Sequence, residues 1–214
     1  MKRSFCLGLA LLCVVSTTVA QEPVDWVKMF DGKTMSGWKA SENKDSWTVK
    51  DGSLVCKGKR SHLFYTGKNG AAKFKNFEFK CEVMTTKGSN AGIYFHTKYQ
   101  EKGWPKHGFE CQVNITHKDP KKTSSLYAVK NVSADDLKGL VKDGEWYTQH
   151  IIVKGNKVIL KVNDKTMVEY TQPADQKPFS KDFARLLGAG TIALQAHDPE
   201  SVVHFRKLMI KPLP

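Results

Sequence analysis

Apolar residues along this chain recur at every second position, and helical spacing is nearly absent. Period-2 alternation marks strands buried on one face. Within 74–84, Phe77, Phe79, Cys81 and Val83 share one face, while Glu78, Lys80, Glu82 and Met84 share the other. The same pattern predicts strands over 47–50, 54–56, 93–97, 108–115, 147–154, 158–162, 167–170, 190–196 and 202–210. Asp51-Gly52, Lys154-Gly155-Asn156-Lys157 and Asn163-Asp164-Lys165 lie between runs and read as tight turns. One short helix is expected around Lys181–Leu187, after the Pro-bearing linker 172–178. About a dozen short strands joined by Gly and Asn turns predict an all-β sandwich of two antiparallel sheets, a jelly roll, with a closed barrel as the alternative.

The first twenty residues stand outside this pattern. Lys2 and Arg3 precede an apolar run from Phe5 to Val15, and small residues end at Ala20. This is the layout of a signal peptide (residues 1–20), leaving one domain over 21–214. The run is too short for a membrane span, and Leu12 is too large for the position before a lipidated Cys13. The expected location is therefore periplasmic or secreted.

Composition refines this picture. The chain has 214 residues and a formal charge of +13. Without Lys2 and Arg3 it keeps 32 basic against 21 acidic residues, or +11. The basic residues are scattered, and the tandems of the mature chain are only pairs, such as Lys121-Lys122 and Arg206-Lys207. A solvated basic surface is expected rather than a nucleic-acid partner. Signal cleavage leaves Cys56, Cys81 and Cys111, which form neither a disulfide framework nor a metal spacing. The strands 77–84, 92–97 and 108–114 read as a meander, which would hold Cys81 and Cys111 two strands apart and reduced.

The polar faces carry the candidate chemistry. Opposite the apolar sets lie Asn90, Gly92, Tyr94 and His96 on one strand, and Glu110, Gln112 and Asn114 on the next. Gln195 and His197 lie on a third, and His204 and Arg206 share a face of the closing strand. An ordinary wet face of this chain would be lysine-rich, as Lys73, Lys75 and Lys80 suggest. The first three sets hold no lysine, which points to a binding or catalytic face. Hydrolysis by two carboxylates needs a closely spaced acidic pair, yet Glu110 is followed by amides and no second acid stands on the neighbouring strand. Nucleophile elbow, P-loop and zinc-helix motifs are absent. One carboxylate with His96, His197, Tyr94 and Tyr127 suits proton transfer, or a divalent metal held on oxygen and imidazole.

Several segments resemble one family in order along the chain. They are Trp26 with Met29-Phe30-Asp31-Gly32-Lys33 and Gly37-Trp38, then Asn90–Phe95, Gly108–Val113, Gly144–Tyr147, Gly190–His197 and Val203–Leu213. Together they are similar to the bacterial 3-keto-disaccharide hydrolases, also described as 3-keto-glucoside 1,2-lyase/hydratase domains. The resemblance implies a concanavalin-like jelly roll. It departs from the family at His96, where Arg is common, at Asn114-Ile115-Thr116, which replaces an Asp, at Tyr147, which replaces Asn, and at Asp198, where Gly commonly follows the histidine.

The chemistry implied by the resemblance needs only one carboxylate. A ketone at C3 of a sugar acidifies the C2 hydrogen; a base removes it, the enolate expels the oxygen on C1, and water adds back. On this reading Glu110 is the base or a metal ligand, and His96 and His197 serve as base, acid or ligands. Gln112, Tyr94, Gln195, Arg206 and Tyr127 would position the sugar or keto-sugar. Trp104 would stack on a sugar ring or pack beneath its own loop. The alternatives are a carbohydrate-binding module without catalysis, using the same face, and an envelope structural protein.

Overall fold

The computed structural model describes residues 25–214; the expected signal peptide lies outside them. Among the described residues, thirteen strands form two antiparallel sheets. They are β1 (Val27–Lys28), β2 (Trp38–Ala40), β3 (Trp47–Lys50), β4 (Ser53–Lys57), β5 (Ser61–Tyr65), β6 (Phe77–Thr85), β7 (Asn90–Thr97), β8 (Phe109–Asn114), β9 (Tyr147–Lys154), β10 (Lys157–Val162), β11 (Lys165–Thr171), β12 (Thr191–Ala196) and β13 (Val202–Pro212). The larger sheet runs β11-β10-β9-β6-β13-β4-β3, with β1 also on β13; the smaller runs β2-β5-β12-β7-β8. This is the expected sandwich of two antiparallel sheets. Apolar side chains from both inner faces fill the core, including Phe79 and Phe205 from one sheet and Phe95 and Phe109 from the other. Among the described residues, no helix is long and apolar enough to cross a membrane.

The turns follow their residue chemistry. Asn163 and Asp164, with φ of 46° and 64°, close the β10–β11 hairpin, and Asp51-Gly52 closes β3–β4. Both are left-handed turns that match strand twist. The helix expected over 181–187 is not formed; that segment is an irregular strap. Among the described residues the α-helix that forms is Ala134–Leu137, started by a capping box between Ser133 and Asp136. Alternation does not mark β1 and β2, which have two and three residues, or β5, whose residues Ser61–Phe64 are all buried.

The meander expected for β6, β7 and β8 is corrected: β6 belongs to the large sheet, β7 and β8 to the small one. Alternation marks a buried face but does not say which sheet presents it. Cys81 and Cys111 therefore approach the core from opposite sheets. Gln149, beside Cys81 on β9, donates from Nε2 to Cys111 Sγ at 2.8 Å. The three thiols are free and buried. Burial pushes Cys56 and Cys111 up to about 12 and Cys81 well above the ordinary thiol range. Iodoacetamide at pH 8 should label none of the three in native protein and all three after unfolding, as read by mass spectrometry. Labelling of Cys81 or Cys111 in the native state would contradict this packing.

The outer faces of the two sheets differ in composition. That of the large sheet carries Lys80, Lys161, Arg206 and Lys207 among partly buried apolar residues. That of the small sheet carries Glu110, Gln112, Tyr94 and Gln195. The lysine-poor set noted in the sequence is thus gathered on one sheet.

Candidate active site

Strand register assembles the centre of the site. Glu110 on β8 pairs with Tyr94 on β7, and Tyr94 pairs with Ala193 on β12. Gln195 lies two residues further along β12, on the same face. Tyr94 Oη donates to Glu110 Oε2 at 2.8 Å, and Gln195 Nε2 donates to Glu110 Oε1 at 2.9 Å. The same amide lies 3.2 Å from Tyr94 Oη. Each carboxylate oxygen is therefore held by one donor, which fixes the plane of the group. Gly92, on β7 directly opposite Gln112, is where the carboxylate lies down: a Cβ there would collide with Glu110 Oε1. Only a residue without a side chain leaves this seat open.

This triad forms the floor of a cavity of about 370 Å³. Its walls come from loops. Trp104 in the 98–108 loop has its ring 5.3 Å from His197 and 5.6 Å from His62, between centroids. Tyr127 lies in a segment that runs beside β8, its amide donating to Glu110 O at 2.9 Å. Arg185 closes another side. It donates to Tyr127 O at 3.0 Å and its guanidinium lies 4.0 Å over the Phe179 ring.

The electrostatics follow from this enclosure. Desolvation pushes Glu110 up to about 7, against the lowering effect of the Tyr94 and Gln195 hydrogen bonds and the Arg185 charge. Burial, with the adjacent Glu110 charge, holds Tyr94 well above the ordinary phenol range, so it stays a donor. Near neutrality Glu110 is poised to take up a proton and to return it.

The loop 115–121 brings Asp119 to the cavity wall and His117 beside His197. Asn114 Nδ2 donates to the carbonyls of Asp119 and Lys121, both at 2.9 Å, and Lys122 Nζ donates to His117 O at 2.6 Å. A carboxylate at 114 could not make the two donations, so the Asn114 amide anchors the loop. Asp119 accepts from Tyr127 Oη at 3.2 Å and lines the cavity. The expectation of a single carboxylate is therefore corrected: a loop, not the neighbouring strand, supplies a second.

Of the residues singled out from sequence, Glu110, His197, Gln112, Tyr94, Gln195, Trp104 and Tyr127 line this cavity. His96 and Arg206 do not. His96 sits at φ 55°, where the β7–β12 register shifts, so the alternation breaks at that residue. Its ring turns onto Phe77 and Phe95; Nε2 bonds Lys75 O at 2.8 Å, and Nδ1 accepts from Gly188 N at 3.1 Å. Gly108 permits this bulge, since a Cβ there would strike the Phe95 carbonyl. Arg206 belongs to β13 in the large sheet. There it bonds Glu82 at 2.6 Å and covers the Trp146 ring at 3.8 Å. The divalent-metal set of Glu110, His96 and His197 is thus not brought together. Among the described residues, no group of three or more His, Cys, Asp or Glu converges as a ligand set.

Sequence reasoning missed Arg185, Asp119 and His62. Arg185 lies in the segment expected to be helical, which is irregular; Asp119 lies in a loop without alternation, and His62 lies on β5, whose residues do not alternate. His62 is buried beside Tyr94 and Trp104, and desolvation lowers it to about 3, so its ring is neutral.

Comparison with known proteins matches this architecture. The 3-keto-alpha-glucoside-1,2-lyase-like domain family matches residues 25–211. A 3-keto-disaccharide hydrolase of Bacteroides thetaiotaomicron is 28% identical over 242 residues, covering 90% of this chain and 81% of the relative. A crystal structure of a Parabacteroides distasonis protein, named as a glycosyl hydrolase, superposes with a TM-score of 0.72 at 20% identity, over 88% of this chain and 94% of that one. The β-glucanase of Bacillus licheniformis shares the jelly roll with a TM-score of 0.57 at 8% identity, over 91% of this chain and 100% of that one. With its matched segment running through almost all of the described residues, the chain belongs to the 3-keto-alpha-glucoside-1,2-lyase-like domain family.

Proposed function

We propose that this protein is an exported enzyme that cleaves 3-keto-glycosides by removing the C2 proton, eliminating the group on C1 and adding water back. The observation that carries the reading is Glu110: a carboxylate fixed by Tyr94 and Gln195 on the cavity floor, with its proton affinity raised to about 7. A general base works best when its pKa lies near the working pH. The carbon acid needs this match, because the ketone makes the C2 hydrogen only moderately acidic. The enolate that forms carries negative charge on the C3 oxygen. Arg185, whose charge reaches Glu110, is the cation placed to stabilise it. Gln112 and Tyr127 supply polar contacts for sugar hydroxyls, and Trp104 supplies an aromatic wall.

Asp119 favours a second reading, two-carboxylate hydrolysis without a keto group. The two readings separate in heavy water. C2 abstraction places deuterium at C2 of the released 3-keto-sugar above the level of an enzyme-free control, while direct displacement at C1 does not. Asp119→Asn keeps an acceptor for Tyr127 and should leave turnover within about tenfold. Loss of about 10²-fold or more, together with cleavage of an unoxidised glucoside by the native enzyme, would replace the lyase reading with hydrolysis. Binding of keto-sugar without turnover would leave a binding module.

A further inference from the structure

We propose that Asp198 and His197 act as a carboxylate–imidazole pair that carries the leaving-group proton, with Asp198 as the positioning residue. The inference rests on the lyase reading above.

The geometry is that of an oriented histidine. His197 Nδ1 lies 2.7 Å from Asp198 Oδ2. The carboxylate is itself fixed: Ser201 Oγ donates to Oδ2 at 3.0 Å, while the amides of Glu200 and Ser201 donate to Oδ1 at 2.9 and 3.0 Å. A carboxylate held by so many donors is ionised and can only accept. Nδ1 must then carry the hydrogen, which leaves Nε2 as the nitrogen available to a ligand. The ring lines the cavity, flanked by Trp104 at 5.3 Å and by His117 at 5.7 Å between centroids.

Its position fits the second proton. His197 follows Gln195 by two residues, about 7 Å along an extended chain, and Gln195 holds Glu110. With C2 seated over Glu110, a sugar turned with its C1 oxygen toward His197 places the leaving group beside Nε2. The step balances without any other reactant. Glu110 takes the C2 proton and becomes a carboxylic acid. The C3 enolate reforms the ketone, a C1=C2 double bond forms as the C1–O bond breaks, and the departing oxygen takes the proton from Nε2 of the imidazolium. In the return half, neutral Nε2 takes a proton from water, hydroxide adds to C1, and Glu110 returns its proton to C2. Both groups end as they began, and the net reaction is hydrolysis. Asp198 holds the ring orientation in both halves and stabilises the imidazolium.

The test compares Asp198→Asn with the native protein on two 3-keto-glucosides, one with a 4-nitrophenyl group on C1 and one with a methyl group. Nitrophenolate departs without a proton; methoxide does not. In single-turnover mixing, which reads aglycone release before water adds back, the expected result is a fall of about 10²-fold in the release rate from the methyl glycoside and little change from the nitrophenyl one. Nitrogen NMR should show His197 protonated at Nδ1 in the native protein and redistributed in the variant. An equal loss on both glycosides, no loss on either, or a native ring protonated at Nε2 alone overturns the assignment. No turnover of either glycoside by native protein removes the lyase reading itself, and the leaving-group assignment with it.

Discussion

Replacing Glu110 with Gln is expected to lower turnover of a 3-keto-glucoside by at least about a hundredfold, the cost of losing a general base. The variant keeps the shape of the triad. Gln195 can still donate to the amide oxygen, and the Tyr94 hydroxyl can turn to accept from the new amide nitrogen. Stability should move the other way. A carboxyl raised from 4.5 to about 7 in the folded state binds its proton more tightly there than in the unfolded chain. Its contribution is fully present below about pH 4.5 and is lost as pH rises through about 7. The native protein is therefore penalised at pH 8, where the ionised group is buried, and Gln removes that penalty. Thermal denaturation should give similar Tm values for the two proteins near pH 4 and a higher Tm for the variant at pH 8. Retained turnover would show that Glu110 is not the base; a lower Tm for the variant at pH 8 would contradict the desolvation argument.

Gly92→Ala probes the same carboxylate without replacing it. The backbone at this position is ordinary, so the added methyl carries no torsional penalty, but it would occupy the space of Glu110 Oε1. Glu110 must swing off Tyr94 and Gln195, and displacement of a catalytic group by about 1 Å costs about 10²-fold. A loss of that size in kcat is expected, with the β-sheet circular-dichroism spectrum unchanged. Gly188→Ala is the control, because a Cβ there meets nothing within 4 Å. If the Gly92 variant turns over substrate like the control, the seated geometry of Glu110 is not needed for the reaction.

The polar residues that share the cavity were legible to the extent that they obey alternation. Tyr94, Glu110, Gln112 and Gln195 stand on regular strands whose apolar neighbours must face the core, so their own direction follows. His96 stands on the same strand as Tyr94, two residues on, and the rule fails there. A bulge adds a residue to one strand without changing the hydrophobic pattern, and the signals for it, Gly108 and Gly190, lie on other segments that pack against the His96 backbone. Arg206 fails for a different reason. Its strand alternates as expected, but outward from the large sheet is the opposite side of the molecule from outward from the small one.

The amino-acid sequence by itself therefore determined the class of fold, the turns and the identity of one polar, lysine-poor face. Each of these depends on residues within a few positions of one another: side-chain direction alternates along a strand, and turn residues set their own torsions. Tertiary structure alone decided which strands share a sheet, and with that the exclusion of Arg206 and the opposition of Cys81 and Cys111. It also decided what the loops deliver. Arg185, Asp119 and the Trp104 wall reach the cavity through segments without periodicity. Their places are set by long-range bonds such as Ala184 to Lys106, Arg185 to Tyr127 and Asn114 to Asp119. The raised proton affinity of Glu110 belongs to the same class. It arises from burial by residues distant in the chain, and no local pattern of sequence contains it.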